Sequence, residues 1–248
     1  MFELTLLEWI LVIFCALCIG FSKSGLPNLV ILVVTLLMFV FPARDSVGIL
    51  LPMLLVGDFF AIIYYRRNVK WNHLKGLIPW VLIGIVAGYF VLEHVNDAQL
   101  KPLIGIIVLV MITLNFVRER FGTKFNTLLP NSLGFTLLMG ILGGFTTMVG
   151  NAAGAIMTIY LLVKGLPKKE FVGTGAWFFL FVNLIKVPFY VHLELITVES
   201  ISFNAWLVPA IILGAFIGIK VLPIIPQKVF TILVLILAAL GGVNLLLN

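Results

Sequence analysis

Apolar residues run along this chain in long blocks, without the alternation of half-buried strands. Blocks bounded by charges or by Gly/Pro clusters lie near residues 5–21, 25–41, 44–65, 76–93, 100–117, 132–147, 151–164, 168–190, 203–222 and 227–247. A helix that crosses a bilayer needs about 20 such residues, within a range of about 17–25. Most blocks reach that length. Residues 151–164 fall short, and the blocks flanking 22–24 and 148–150 are marginal. The pattern predicts an all-α integral membrane protein in which the marginal blocks are either kinked spans or broken and re-entrant helices. Transmembrane barrels have shorter, alternating segments and do not fit.

Composition narrows the class further. Of 248 residues, 62% are hydrophobic and 10% charged, against about half and a quarter in ordinary globular domains. The sixteen basic residues are scattered among loops, which speaks against a nucleic-acid face. With the N-terminus outside, thirteen of the sixteen fall in cytoplasmic loops, at Lys23, Arg66, Arg67, Lys70, Lys75, Arg118, Arg120, Lys124, Lys164, Lys168, Lys169, Lys220 and Lys228. That asymmetry is the one the positive-inside rule describes. The opening MFELTLLEWI has no basic n-region and no small-residue cleavage site, so no removable signal peptide is expected.

The chain repeats itself. Gly20 and Phe21 match Gly144 and Phe145 at an offset of 124. Pro42, Asp45, Gly48 and Asp58 match Pro167, Glu170, Gly173 and Asn183 at 125. Pro79, Gly84, Gly88, Val91 and Leu92 match Pro209, Gly214, Gly218, Val221 and Leu222 at 130. Two repeats result, 1–124 and 125–248, with five blocks each. An odd number of blocks turns the second copy over, giving the inverted repeat of two five-segment halves that many secondary transporters use. Gly84/Gly88 and Gly214/Gly218 are GxxxG pairs, which let helix backbones approach closely.

Two polar breaks interrupt the apolar blocks: GFSKSGLPN at 20–28 and GFTTMVGNAAG at 144–154. Irregular backbone inside a membrane survives only when buried in protein or lining a wet cavity. Free N–H groups at the start of the following helix favour an anion. Ser22, Lys23, Ser24, Gly25 and Asn28 in the first break, with Thr146, Thr147, Gly150 and Asn151 in the second, are therefore candidate anion contacts. For Lys23 the competing role is snorkelling at a helix end. Charges within spans are costly and mark functional candidates. Asp58 either carries a coupling proton or anchors structure by bonding its repeat mate Asn183. Lys186, one turn beyond Asn183, lies about four residues from an expected outer end and is expected to snorkel, with a part in an anion pathway as the alternative. Thr174 and Trp177 are about one turn apart and share a face, either as binding groups or as core. Cys15 and Cys18, in CALC, read as packing residues. His73, His94 and His192 are dispersed, so neither a metal centre nor a cofactor is expected, and an enzyme lacks its convergent acid, base or ligand set.

With these motifs in view, the chain resembles the TauE/SafE sulfite-exporter family. The resemblance is carried by GFSKSGLPN, GFTTMVGNAAG and FVGTGAWFFLFVNLIKVPFY at 171–190, and it spans nearly the whole chain. It implies transport of small sulfur-containing anions, such as sulfite, sulfoacetate or other organosulfonates, across the bacterial cytoplasmic (inner) membrane. The family's glycine-rich break falls on Gly20, Gly25 and Pro27, and its second copy on Gly144, Gly150 and Gly154. This chain departs from it at Ser22-Lys23-Ser24, where the family has consecutive glycines. The expectation is a multi-pass secondary transporter working by alternating access in the export direction, with a passive anion channel on the same fold as the alternative. Its expected partners are a small anionic substrate, membrane lipid, protons as coupling ion and, in an open question, further copies of itself.

The topology has a direct test. Cysteines introduced one at a time in the 66–75 and 191–202 segments should react with an impermeant maleimide from opposite faces of the membrane. Labelling from one face would break the ten-segment arrangement.

Overall fold

A computed structural model of the chain describes residues 4–23, 29–65, 68–121 and 132–221, with positions 236, 239, 240, 243 and 247. Among the described residues are nine helices and no strand: α1 (Leu6–Ser22), α2 (Leu29–Leu37), α3 (Ala43–Tyr65), α4 (Trp71–His94), α5 (Asp97–Phe121), α6 (Leu133–Gly150), α7 (Gly154–Val163), α8 (Lys168–His192) and α9 (Val198–Val221). Nearly all of the tenth expected block, 227–247, lies outside the described residues.

Local chemistry sets the helix ends. Thr5 and Glu8 form a reciprocal capping box at the start of α1, with Thr5 N–H donating to Glu8 Oε2 at 2.7 Å and Glu8 N–H to Thr5 Oγ1 at 3.4 Å. Ser132 caps α6 by accepting from Phe135 N–H at 3.2 Å. The helix stops at Asn151, whose φ of 55° is the left-handed conformation that asparagine tolerates best after glycine.

Among the described residues, six helices are long and apolar enough to cross a membrane: α3, α4, the first 18 residues of α5, α6, α8 and α9. By contrast α2 and α7 have 9 and 10 residues. At about 1.5 Å per residue they extend roughly half of a hydrocarbon layer about 30 Å thick. Every residue of α2 except Leu36 is buried, and so are Gly154–Leu161 of α7. Helices that are apolar all round belong in an interior. Blocks 25–41 and 151–164 thus become short buried helices, whereas 132–147 becomes the span-length α6 and 5–21 the 17-residue α1.

Two close crossings frame the bundle. α1 packs along α9, and α4 along α6. A β-carbon at Gly20 would overlap the Ile211 carbonyl oxygen, and one at Gly214 the carbonyl of Leu17. A β-carbon at Gly144 would overlap the Val81 carbonyl, and one at Gly84 the carbonyl of Ile141. The offsets of the sequence repeat carry one set of contacts onto the other: Leu17 and Gly20 become Ile141 and Gly144, and Val81 and Gly84 become Ile211 and Gly214. α3 lies between, against α8 and α9. At one end Arg44 ties helices together. Its guanidinium donates to the carbonyls of Leu92 (2.7 Å) and Val95 (3.0 Å) at the end of α4 and of Leu193 (3.4 Å) after α8. A cation on C-terminal carbonyls is favoured by charge and by unmet hydrogen bonds alike.

The crossings predict a contrast among glycines. Gly84→Leu and Gly214→Leu should each lower the melting temperature in detergent, because backbone cannot yield to the added side chain. Gly76, with open space around it, should accept alanine with no loss, since alanine is the better helix former by about 1 kcal/mol. Equal melting of all three variants would refute the packing described.

Candidate functional site

Lys23, Asp58 and Lys186 form one network with Thr147, Asn151 and Asn183. Lys23 caps the end of α1, its backbone N–H held by Gly20 O at 3.2 Å. Its Nζ reaches Asp58 Oδ1 on α3 at 2.6 Å. The Lys23 stem passes over Gly57, where a β-carbon would stand 3.0 Å from Lys23 Cγ and would crowd the lysine stem. Asn183, on α8, donates its Nδ2 to Asp58 Oδ2 at 2.7 Å. One turn on, Lys186 Nζ donates to Asn183 Oδ1 (3.3 Å), to Thr147 Oγ1 on α6 (3.3 Å) and to Asn151 Oδ1 at the α6 cap. The Tyr190 ring lies 5.2 Å from that ammonium, and its hydroxyl donates to Met148 O at 2.7 Å.

Burial makes these bonds obligatory. Asp58 and Lys186 are both 0% exposed, and the Lys23 side chain is 9% exposed. An unpaired charge in such a place is expensive, and removing one partner of a buried pair costs about 3–5 kcal/mol. The formal charges do not cancel, since two ammonium groups face one carboxylate. Asn183 bridges the surplus charge on Lys186 to Asp58, its oxygen towards the cation and its nitrogen towards the anion.

A cavity of about 50 Å³ opens beside the network. It has room for on the order of four water molecules, the scale of a small oxyanion. Ser22, Lys23, Asp58, Thr147, Asn151 and Asn183 supply its polar wall. Val30 and Gly154, in the first turns of α2 and α7, line it as well. The remaining wall is apolar and includes Phe171 and Phe179, the latter ring 5.3 Å from Lys23 Nζ.

The expected site residues divide accordingly. Ser22, Lys23, Thr147 and Asn151 meet at the cavity with Asp58 and Asn183. Thr146 bonds its own helix, donating to Leu142 O at 2.8 Å. Gly150 faces Ile104. Thr174 is fully buried and accepts from Lys70 N–H at 3.0 Å, which joins the start of α4 to α8. Trp177 packs on Trp71 and Phe181, with ring centroids 5.1 and 5.7 Å away, and its buried indole N–H has no partner among the described residues. Ser24, Gly25 and Asn28 lie outside the described residues. Asp58 does bond Asn183, and in addition holds Lys23. Lys186, expected to snorkel, is wholly enclosed: α8 continues to His192, and the side chain turns inward. Its signal was the spacing Phe179, Asn183, Lys186, a single helix face. Gly57, Phe171 and Phe179 were not singled out by sequence reasoning. No group of three or more His, Cys, Asp or Glu residues is placed to hold a metal among the described residues.

The buried pair has a quantitative test. Lys23→Met and Asp58→Leu should each destabilise the protein by about 3 kcal/mol, and the double variant by clearly less than the sum. Additive losses in detergent unfolding would show that the two groups are not coupled.

Comparison with known proteins gives three findings. The sequence model of the family described as sulfite exporter TauE/SafE matches residues 12–245. A stretch of 43 residues, 17% of this chain, is 40% identical to the probable membrane transporter protein MamO of Magnetospirillum gryphiswaldense and 37% identical to that of Paramagnetospirillum magneticum. It spans 7% of the length of each of these curated relatives. No solved structure matches the chain.

Proposed function

The chain belongs to the sulfite exporter TauE/SafE family, and on that premise we propose that it is a secondary transporter of small sulfur-containing anions, sulfite, sulfoacetate or other organosulfonates, in the bacterial cytoplasmic membrane. One observation carries the proposal. The Lys23 ammonium and the Asp58 carboxylate line a cavity of anion size, and Lys186 is bonded behind it to the lining residues Thr147, Asn151 and Asn183, which leaves one formal positive charge in excess. A halide or oxyanion there neutralises the surplus, and N–H groups in the first turns of α2 and α7 add to the attraction. The 43-residue match to two probable membrane transporter proteins points the same way.

The geometry supports a mechanism of exchange. An arriving anion competes with Asp58 for Lys23, and Asp58 stays held by Asn183 at 2.7 Å. A proton on Asp58 replaces the charge that Lys23 gives up, which couples the anion to a proton. The inverted repeat supports alternating access. The contacts of the two glycine crossings interchange under the sequence offsets, and the repeat mates Asp58 and Asn183 bond to each other. Such a pair lies where the axis relating the two halves would pass. For an anion that crosses without the proton, the potential of an inside-negative cell favours export by about 2.3 kcal/mol per roughly 100 mV.

Proteoliposomes test the proposal. Sulfite, thiosulfate, sulfate, sulfoacetate and taurine should be screened for saturable, counterflow-stimulated flux. Lys23→Ala should lower flux of the preferred anion at least about tenfold, with Lys23→Arg retaining part, because a desolvated charge contact is lost. Asp58→Asn should flatten the pH dependence. Wild-type flux in Lys23→Ala would remove this site from transport, and ohmic conductance in planar bilayers would make the protein a channel.

A further inference from the structure

We infer that Lys186 is an anion contact of the outward-facing state, lining a second cavity that this structure holds closed; this rests on the alternating-access transport proposed above. The cavity wall divides by repeat mates. Lys23 with Thr147, Val30 with Gly154, Leu54 with Phe179, and Asp58 with Asn183 are four mate pairs, and both members of each line the cavity. They form a central layer common to the two halves. The rest of the wall is one-sided. Ser22, Ala61, Phe171, Val172 and Ala176 line it, whereas their mates Thr146, Lys186, Ser46, Val47 and Leu51 do not. Asn151 also lines it, and its mate Pro27 lies outside the described residues.

The one-sided residues lie towards one end of the bundle. From Asp58 the cavity continues to Ala61, towards the end of α3 at Tyr65, and from Asn183 back to Phe171, near the start of α8 at Lys168. Lys70 pairs with Glu170 at that start, at 3.0 Å. This end bears Lys70, Lys75, Lys164, Lys168 and Lys169, and by the positive-inside rule it faces the cytoplasm. The opposite end is shut. Ser46 and Val47 are fully buried there, while their mates Phe171 and Val172 are partly exposed. Asn151 Nδ2 donates to Val47 O at 3.4 Å, closing α3 onto the end of α6.

An inverted repeat that opens to one side through one set of residues opens to the other through their mates. Turned outward, the cavity keeps its central layer and gains Lys186 in the place that Ala61 holds here. The ammonium suits that role. The oxygens that it bonds, on Thr147, Asn151 and Asn183, are all neutral, and a charged oxygen is the stronger acceptor for an ammonium. Lys23 serves both states, because its mate Thr147 lines the cavity here. Lys186 serves one.

Right-side-out and inside-out membrane vesicles carrying the full chain separate the two faces. Exchange is followed with radiolabelled sulfite, sulfate, thiosulfate or sulfoacetate, whichever the wild type moves fastest. Lys186→Met should raise the half-saturating concentration at the outer face at least about tenfold, and at the cytoplasmic face by no more than about threefold. Lys186→Arg should keep part of the outer affinity, and Lys23→Ala should weaken both faces. Equal weakening of the two faces in Lys186→Met is the mark of a purely structural residue and would overturn the inference. Should that variant fail to fold, a second measurement leaves both lysines in place. Sulfonatoethyl methanethiosulfonate, an impermeant anion, should modify Ala61→Cys from the cytoplasmic face and Leu51→Cys from the outer face, each above the background of Cys15 and Cys18. Leu51→Cys reacting from neither face, or from the same face as Ala61→Cys, would sink the second cavity while leaving transport itself intact. If the wild type moves none of the four anions, the transport reading falls, and this inference with it.

Discussion

The centre of the structure is arranged around one requirement: a carboxylate with no exposure at all must be fully bonded. Asp58 meets it with Lys23 on one oxygen and Asn183 on the other. The requirement then propagates. Asn183 can point its nitrogen at Asp58 only if something takes its oxygen, and Lys186 does. Lys186 brings a second buried cation, which finds its remaining acceptors on Thr147 and Asn151 at the end of α6. A continuous chain of charge-assisted bonds thus runs from the end of α1 through α3 and α8 to the end of α6. In a low-dielectric interior such chains are strong when complete and costly when any member is missing.

Those bonds have to be held in register by something stiffer than side chains. Between helices in lipid there is little hydrophobic drive, and association depends on close backbone contact. The crossings of α1 on α9 and of α4 on α6 supply it through Gly20, Gly214, Gly84 and Gly144. Each crossing lies within one or two turns of a helix end that carries network residues: Gly20 precedes Lys23, and Gly144 precedes Thr147 and Asn151. The small residues therefore do more than pack. They fix where the two helix ends stand, and so whether a lysine on α1 meets a carboxylate on α3.

The long helices were legible because a membrane span is a composition: the blocks 44–65, 76–93 and 168–190 reappear as Ala43–Tyr65, Trp71–His94 and Lys168–His192. Hydropathy did not give the length of α2 and α7. The stretch 29–41 is apolar but for Thr35, yet the chain turns at 38–40, and a turn built of Met38, Phe39 and Val40 is as apolar as a helix. The break after α6 was legible from its glycine, hydroxyl and amide residues, and Asp58 with Asn183 from the repeat, while residues 24–28 of the first break lie outside the described residues. Lys186 was misplaced because its distance from an expected span end was counted along the chain, whereas its fate is set by direction around the helix. Thr174 and Trp177 share a helix with the site but serve the seam with α4, a difference of face that one sequence does not resolve. The cavity's apolar wall was invisible for a plainer reason, since Phe171 and Phe179 are two of 21 phenylalanines.

The repeat mates at the site are alike in place and unlike in charge, and this bears on how the site can work. Lys23 corresponds to Thr147, Asp58 to Asn183, and Lys186 to Ala61. The first half thus contributes a closed pair, Lys23 with Asp58, while the second contributes a lone cation satisfied by neutral oxygens. Were both halves to carry the pair, the cavity would be neutral and would offer an anion no advantage. Were both to carry the lone cation, the empty site would hold two unmatched buried charges and would be costly to fold. Dividing the roles leaves the empty protein stable and still short of one negative charge. On the transport mechanism proposed above, a carrier needs both properties, because its site must turn from one face of the membrane to the other loaded and return empty.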